Sequence, residues 1–126
     1  ENCFMKAEAM VRSRRWKEAL AELDEGLRLK RDDKEMQVYK AYVEAMVDGA
    51  YPKAIKRINE LLNKDDNMLS GLLFLARLLK AAGDGDGAIK MYKRVQQLDP
   101  HNNEAASEIR LTNMRKEKEK KKGKWF

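Results

Sequence analysis

The stretch Gly83–Asn102, GDGDGAIKMYKRVQQLDPHN, restricts the possible folds more than any other part of this chain of 126 residues. A Gly-Asp turn is followed by apolar residues at helical spacing: Ala88, Ile89, Tyr92, Val95 and Leu98. Asp99-Pro100 then ends the helix, because the residue before a proline is pushed out of the α region. Joined to an upstream helix over Leu69–Ala82, the stretch makes a two-helix unit of 34 residues.

The same register occurs twice more. Ala19, Ala54 and Ala88 stand 35 and 34 residues apart. Each is followed by a branched residue, Leu20, Ile55 or Ile89, and four residues on by Leu23, Ile58 or Tyr92. The turns before them also correspond: Arg14-Arg15-Trp16, Gly49-Ala50-Tyr51 and Gly83-Asp84-Gly85. A small alanine lets two helices approach closely, while the larger residues fill the layer between units.

Element by element, residues 2–14 read as a helix with Phe4, Ala7, Met10 and Val11 on one side. A second helix carries Trp16, Ala19, Leu20, Leu23, Leu27 and Leu29. Asp32 or Asp33 supplies the next N-cap, and Asp32 with Glu35 fits a capping box. The third helix spans about Lys34–Val47 and stops at Asp48-Gly49, where glycine takes the left-handed position cheaply. Pro52 suits the first turn of the fourth, whose stripe is Ala54, Ile55, Ile58, Leu61 and Leu62. Asp65-Asp66-Asn67 closes that unit, and Asn102–Lys118 reads as a seventh helix capped by Asn102, with Glu104 in its first turn. Ala105, Ala106, Ile109 and Met114 form its apolar stripe, with Glu108, Arg110, Arg115 and Lys116 expected to face water. The expected fold is all-α, a right-handed α-α superhelix of three helix pairs at about 1–34, 35–68 and 69–102. A capping helix over 103–118 and a basic, flexible tail over 119–126 complete it.

A period of this length with this pattern resembles the tetratricopeptide repeat family over about residues 1–102. The third unit is nearest the family pattern, with Leu72, Leu75, Ala76, Leu79, Gly83, Ala88, Tyr92 and Pro100 at signature positions. The second departs, with Tyr42 where a small residue is usual and Asp66 where proline is usual. The first departs further, with Lys6 at a usually apolar position and Gly26 where alanine is usual. Glu108–Lys118, EIRLTNMRKEK, resembles the segment after the last repeat in bacterial proteins that join a J-domain or a signalling domain to such repeats. That resemblance implies a chaperone-related or signalling setting. The His-Pro-Asp signature of a J-domain is nowhere in the chain, so no co-chaperone activity attaches to these residues.

Stacked helix pairs curve, and the first helix of each pair lines the inner face. Those positions hold Phe4, Glu8, Val11 and Arg12 in the first unit. The second unit adds Met36, Tyr39, Lys40, Val43 and Met46, and the third Leu73, Phe74, Arg77 and Lys80. Met, aromatic and aliphatic residues flanked by cations suit an amphipathic helix or an extended apolar peptide. The competing reading is that several of them pack against the second helices or an upstream segment. Chaperone-binding members of the family grip a terminal carboxylate with Lys and Asn, but the corresponding residues here are Phe4, Glu8, Lys40, Ser70 and Phe74. Only Lys40 among them suits such a clamp, so the clamp is not expected.

Charge points to a second surface. Arg115–Lys124 holds seven Lys or Arg against two Glu, hence five of the six net positive charges, leaving the repeat body almost neutral. The cations Arg115, Lys116, Lys118, Lys120, Lys121, Lys122 and Lys124 precede Trp125 and Phe126. Like-charged runs are usually solvated. The alternative is that the tail associates with an anionic membrane surface, at about 1 kcal/mol per Lys or Arg, or with nucleic acid. Nucleic acid is the weaker option, because phosphate attraction needs only charge but the body lacks a basic face.

The residues argue against catalysis, cofactor and metal. Asp84–Gly87, DGDG, has the look of a calcium loop, but the twelfth position counted from Asp84 is Val95 rather than a bidentate Glu. His101 is the only histidine and stands in a turn; Cys3 is the only cysteine and stands in an apolar stripe. Gly83, Gly85 and Gly87 follow no strand, as a phosphate-cradling loop would require. A small-molecule substrate is therefore not expected, and the partner is a protein or peptide. The run Met68–Ala76 is too short to span a bilayer, and one cysteine builds no disulfide framework, so cytoplasmic residence is the expectation. Opening on Glu1, the chain reads as a piece of a longer one.

Overall fold

The computed structural model describes residues 2–123 and contains, among them, helices and turns only. In chain order the helices are α1 (Cys3–Arg12), α2 (Trp16–Leu29), α3 (Lys34–Asp48), α4 (Tyr51–Leu62), α5 (Leu69–Ala81), α6 (Gly85–Leu98) and α7 (Asn103–Gly123). Each packs against the next, and α3 also packs against α5, so the pairs α1–α2, α3–α4 and α5–α6 stack as a right-handed superhelix. α7 closes the stack against α6 and runs on to Gly123, five residues past the Lys118 boundary expected from its apolar stripe.

Local chemistry explains where these helices begin. Side-chain oxygens of Asn2, Asp33, Asp84 and Asn102 accept the N–H three residues on, at 2.8, 2.9, 2.9 and 2.9 Å. Each satisfies a donor that the first turn leaves without a partner. Asp33, not Asp32, caps α3; two adjacent aspartates both fit the sequence pattern, and only backbone geometry chooses between them. Asp84 is the cap of α6, which is the role its DGDG motif plays.

The repeat register is visible in the backbone. Left-handed residues occur at Arg14 (φ 58°), Gly49 (φ 73°) and Gly83 (φ 90°), each in the turn inside a helix pair and spaced as the alanines are. Ala19, Ala54 and Ala88 are all buried, at 0%, 5% and 2% exposure, where first and second helices meet. Leu23, Ile58, Leu72, Leu78 and Val95 fill the layers between them. Gly26, where the family pattern expects alanine, sits under Met36: an added Cβ would lie 2.7 Å from the Met36 Sδ. The missing methyl of α2 is thus replaced by a methionine from α3, which keeps the first layer closed. Three stripes are narrower than the sequence suggested, and in α7 Ala106 and Met114 are exposed. Leu29 and Leu98, each the last residue of its helix, are 65% and 46% exposed because no following turn covers them.

Arg14 carries a side chain in a conformation that disfavours one by about 1–2 kcal/mol. Arg14→Gly is therefore expected to stabilise the fold by up to about 1 kcal/mol, less what glycine loses in the unfolded state. Gly83→Ala, where the added methyl meets open space, is expected to destabilise by about 1–2 kcal/mol through backbone strain alone. Urea denaturation measures both. A shift of the same sign for the two variants would show that these turns are not equivalent.

Candidate functional site

The first helices of the three pairs, with α7 at the far end, surround a concave hollow of about 900 Å³. Its floor is aromatic. The Phe4 ring meets Tyr39 edge-on at 5.0 Å, and Tyr39 meets Phe74 edge-on at 4.8 Å. Phe74 stacks on Tyr42 at 4.2 Å and 6°, and Trp16 meets Tyr42 edge-on at 6.0 Å. Such pairs contribute about 0.5–1.5 kcal/mol each beyond the area they bury, so this chain of rings ties α1, α2, α3 and α5 together. Tyr39 and Leu73 stay half-buried, and with Met46 and Trp16 they present apolar surface to the hollow. Burial, with Glu8 and Glu35 nearby, pushes the Tyr39 hydroxyl up to about 12, so the ring stays neutral at physiological pH.

Nine of the thirteen residues expected on the inner face border this hollow. They are Glu8, Val11 and Arg12 on α1, Tyr39 and Met46 on α3, and Leu73, Phe74, Arg77 and Lys80 on α5. The other four do not. Met36 (4% exposed) packs against α2 at Gly26, and Val43 (0%) is enclosed in the core. Lys40 turns to α2, where its Nζ lies 2.9 Å from the Asp24 carboxylate. Phe4 supports Tyr39 from beside the hollow. For the three on α3 the reason is shared: a first helix in the middle of the stack has neighbours on both sides, leaving a narrow strip to face inwards. Phe74 is itself only 3% exposed, so it offers the hollow the edge of a core ring.

Sequence reasoning missed two groups. Tyr42, on the register of Ala7 and Ala76, turns its large ring into the floor. Glu104 and Glu108 reach in from α7, although Glu108 was expected to face water. Arg77 Nε and Nη2 donate to the two Glu104 oxygens at 2.8 and 2.6 Å. The Tyr92 hydroxyl donates to Glu104 at 3.1 Å, and Lys80 Nζ lies 2.6 Å from Glu108. Burial opposes ionisation of Glu104, yet the hydrogen bonds and charge of Arg77 outweigh it and hold its carboxyl below the ordinary value of 4.5. Burial and the Glu104 charge push the Tyr92 hydroxyl up, and the Glu104 hydrogen bonds push Arg77 up despite its burial. The Arg77 guanidinium also lies over the Phe74 and Tyr42 rings, 5.5 and 5.7 Å from their centroids.

The remaining candidates lie elsewhere. Arg115, Lys116, Lys118, Lys120, Lys121 and Lys122 are exposed along the distal half of α7, in helix rather than in a loose tail. Lys124, Trp125 and Phe126 lie outside the described residues. His101 is exposed in the α6–α7 turn, and Cys3 is half-buried near Gly26. Among the described residues no three His, Cys, Asp or Glu side chains gather as a metal would need, and no helix is long and apolar enough to cross a membrane.

No family model matches the chain, and no curated protein matches it. Solved structures do. The first TPR of Spaghetti (RPAP3) bound to the HSP90 peptide SRMEEVD is 18% identical, with TM-score 0.70 over 87% of this chain and 89% of that one. The Arabidopsis OM64 TPR domain is 15% identical, with TM-score 0.68 over 90% and 91%. The TPR2B domain of yeast Sti1, in complex with pHsp70, is 16% identical, with TM-score 0.66 over 90% and 94%. The fold is thus that of tetratricopeptide-repeat domains.

Glu104→Gln is expected to cost about 2 kcal/mol, because it breaks charge-assisted bonds and leaves Arg77 without its counter-ion. The Glu104 carboxyl titrates lower folded than unfolded. Its contribution is therefore complete above 4.5 and is lost as pH falls through the folded value. Thermal melts from pH 7 to pH 3 should start lower for the variant and fall less steeply than wild type. Parallel curves would remove Glu104 as the acid-sensitive tie.

Proposed function

We propose that this chain is a non-catalytic interaction module that holds the apolar face of a helix, or an extended apolar peptide, in its concave hollow. The observation that carries this reading is the half-buried apolar surface that Tyr39, Trp16, Leu73 and Met46 present to the hollow, held in place by ring contacts with Phe4, Phe74 and Tyr42. Apolar surface left unpaired in a concavity is what partner segments cover, and rigid rings bind at small entropic cost. One solved structure of the same fold holds an HSP90 peptide and another is a complex with pHsp70, as their names state, which supports a peptide or protein segment as the class of partner. The resemblance of Glu108–Lys118 to the end of repeat arrays in bacterial fusion proteins supports a place within a larger chaperone-related or signalling protein.

Leu73→Gln and Met46→Gln test the site, since both side chains are half-buried and line the hollow. Phe74 is a poorer choice, because truncating a buried ring costs about 3–5 kcal/mol of stability. Peptides selected from a displayed random library should be rich in apolar residues, and the double variant should bind them about tenfold or more weakly with its circular dichroism unchanged. Selected peptides that bind both proteins equally would move the site away from the hollow.

A second reading rests on α7. Six described cations on one exposed helix suit an anionic membrane surface, each contributing about 1 kcal/mol. Replacing Lys120, Lys121 and Lys122 with Gln should abolish co-sedimentation with phosphatidylserine vesicles at low salt. Sedimentation of wild type that is indifferent to salt or to vesicle charge would reject it.

A further inference from the structure

The cations of the hollow are not equivalent. Arg12 and Arg14 are exposed on its α1 side, while Arg77 and Lys80 line its α5 side. Among the described residues, the ion pairs bordering the hollow are Arg77–Glu104 and Lys80–Glu108. Arg77 gives its fork, Nε and Nη2, to both oxygens of one carboxylate at 2.8 and 2.6 Å. That is the arrangement in which a guanidinium would grip a carboxylate brought by a ligand. Its other Nη lies 3.5 Å from the Tyr42 hydroxyl, and its Cζ lies 5.5 and 5.7 Å from the Phe74 and Tyr42 ring centroids. Lys80 spends its charge on Glu108 at 2.6 Å.

We propose that Glu104 and Glu108 are carboxylates built into the hollow in the place of a ligand's own, so that its α5–α7 side excludes acidic peptides and admits apolar ones. The proposal rests on the reading of the hollow as a peptide site and names which peptides it selects. Three facts combine. The two cations that could attract an acidic segment on this side are already neutralised by α7. An incoming carboxylate would find no net positive charge on this side and no free fork, and could bind only by displacing a carboxylate already in place. Glu104 is fixed by three hydrogen bonds, from Arg77 twice and from Tyr92 once, so displacing it would leave donors unsatisfied. α7 is therefore both the lid of the last layer and a specificity element, and the residues that close the stack also set the polarity of its inner face.

The probe is the acidic peptide SRMEEVD, fluorescein-labelled, titrated by anisotropy at low and moderate salt. Wild type is expected not to saturate below about 1 mM. Glu104→Gln with Glu108→Gln frees both cations and is expected to bind at least about tenfold tighter, with the gain erased by salt. Glu108→Gln alone leaves the Arg77 fork intact and should show a smaller salt-sensitive gain, and it decides the matter if the double variant does not fold. A folded variant with no gain, or wild type binding as tightly as the variants, overturns the proposal. Apolar peptides lost on Leu73→Gln alongside glutamine variants that gain nothing would sink this inference and leave the hollow as a site. A gain for SRMEEVD with no apolar binders of wild type would sustain the occupied cations and sink the apolar occupant.

Discussion

A stack of helix pairs is held by contacts between neighbours, so every layer must close locally. The constraint that makes this possible is the small residue where helices cross. Ala7, Ala19, Ala54, Ala76 and Ala88 are all buried to 5% exposure or less, and each lets two backbones come close enough for Leu, Ile and Val to interlock around them. The second repeat breaks the rule once. Tyr42 stands on the register of Ala7 and Ala76, and its ring has room only towards the concave side. There it stacks on Phe74 and receives the edge of Trp16. The part of the aromatic floor formed by Tyr42, Phe74 and Trp16 is thus a consequence of one oversized residue in the small-residue register.

Electrostatics does for the last layer what packing does for the others. α7 buries little beyond Ala105 and part of Ile109, which would leave a long polar helix weakly attached. The Arg77–Glu104 fork, the Tyr92 hydroxyl and the Lys80–Glu108 pair supply the attachment across three helices. Both partners of the fork carry their charge against burial. Burial works against the Glu104 carboxylate, and two donors restore it. The rim of the hollow and the anchor of the terminal helix are the same atoms.

Periodic features were legible in the residues because they recur. The alanine register, the glycines that end first helices and the Asp-Pro stop all state a local geometry that needs no distant partner. The inner face was legible in part. Tyr39, Leu73 and Arg77 follow from helical phase, whereas Met36 and Val43 lie at angles already taken by α2 and by the core, which phase alone does not reveal. Glu104 and Glu108 went unread because their cations lie 27 and 28 residues upstream. A signal did exist: two carboxylates four residues apart on α7, matching two cations three residues apart on α5, describe facing helical surfaces. The length of α7 was underestimated because its apolar stripe ends early, while its Lys and Glu residues are themselves good helix formers.

The two ends of the stack are secured unequally. α5, α6 and α7 are cross-linked by charge, but α1 leans chiefly on α2 and touches the ring ladder only through Phe4. In a structure whose cohesion passes from neighbour to neighbour, opening begins where the fewest bonds must part. The concavity is therefore bounded by one end tied by charge and one end tied by apolar packing. Loss of the two ion pairs would therefore loosen the α7 end and leave the α1 end as it is, because the two ends share no tie among the described residues.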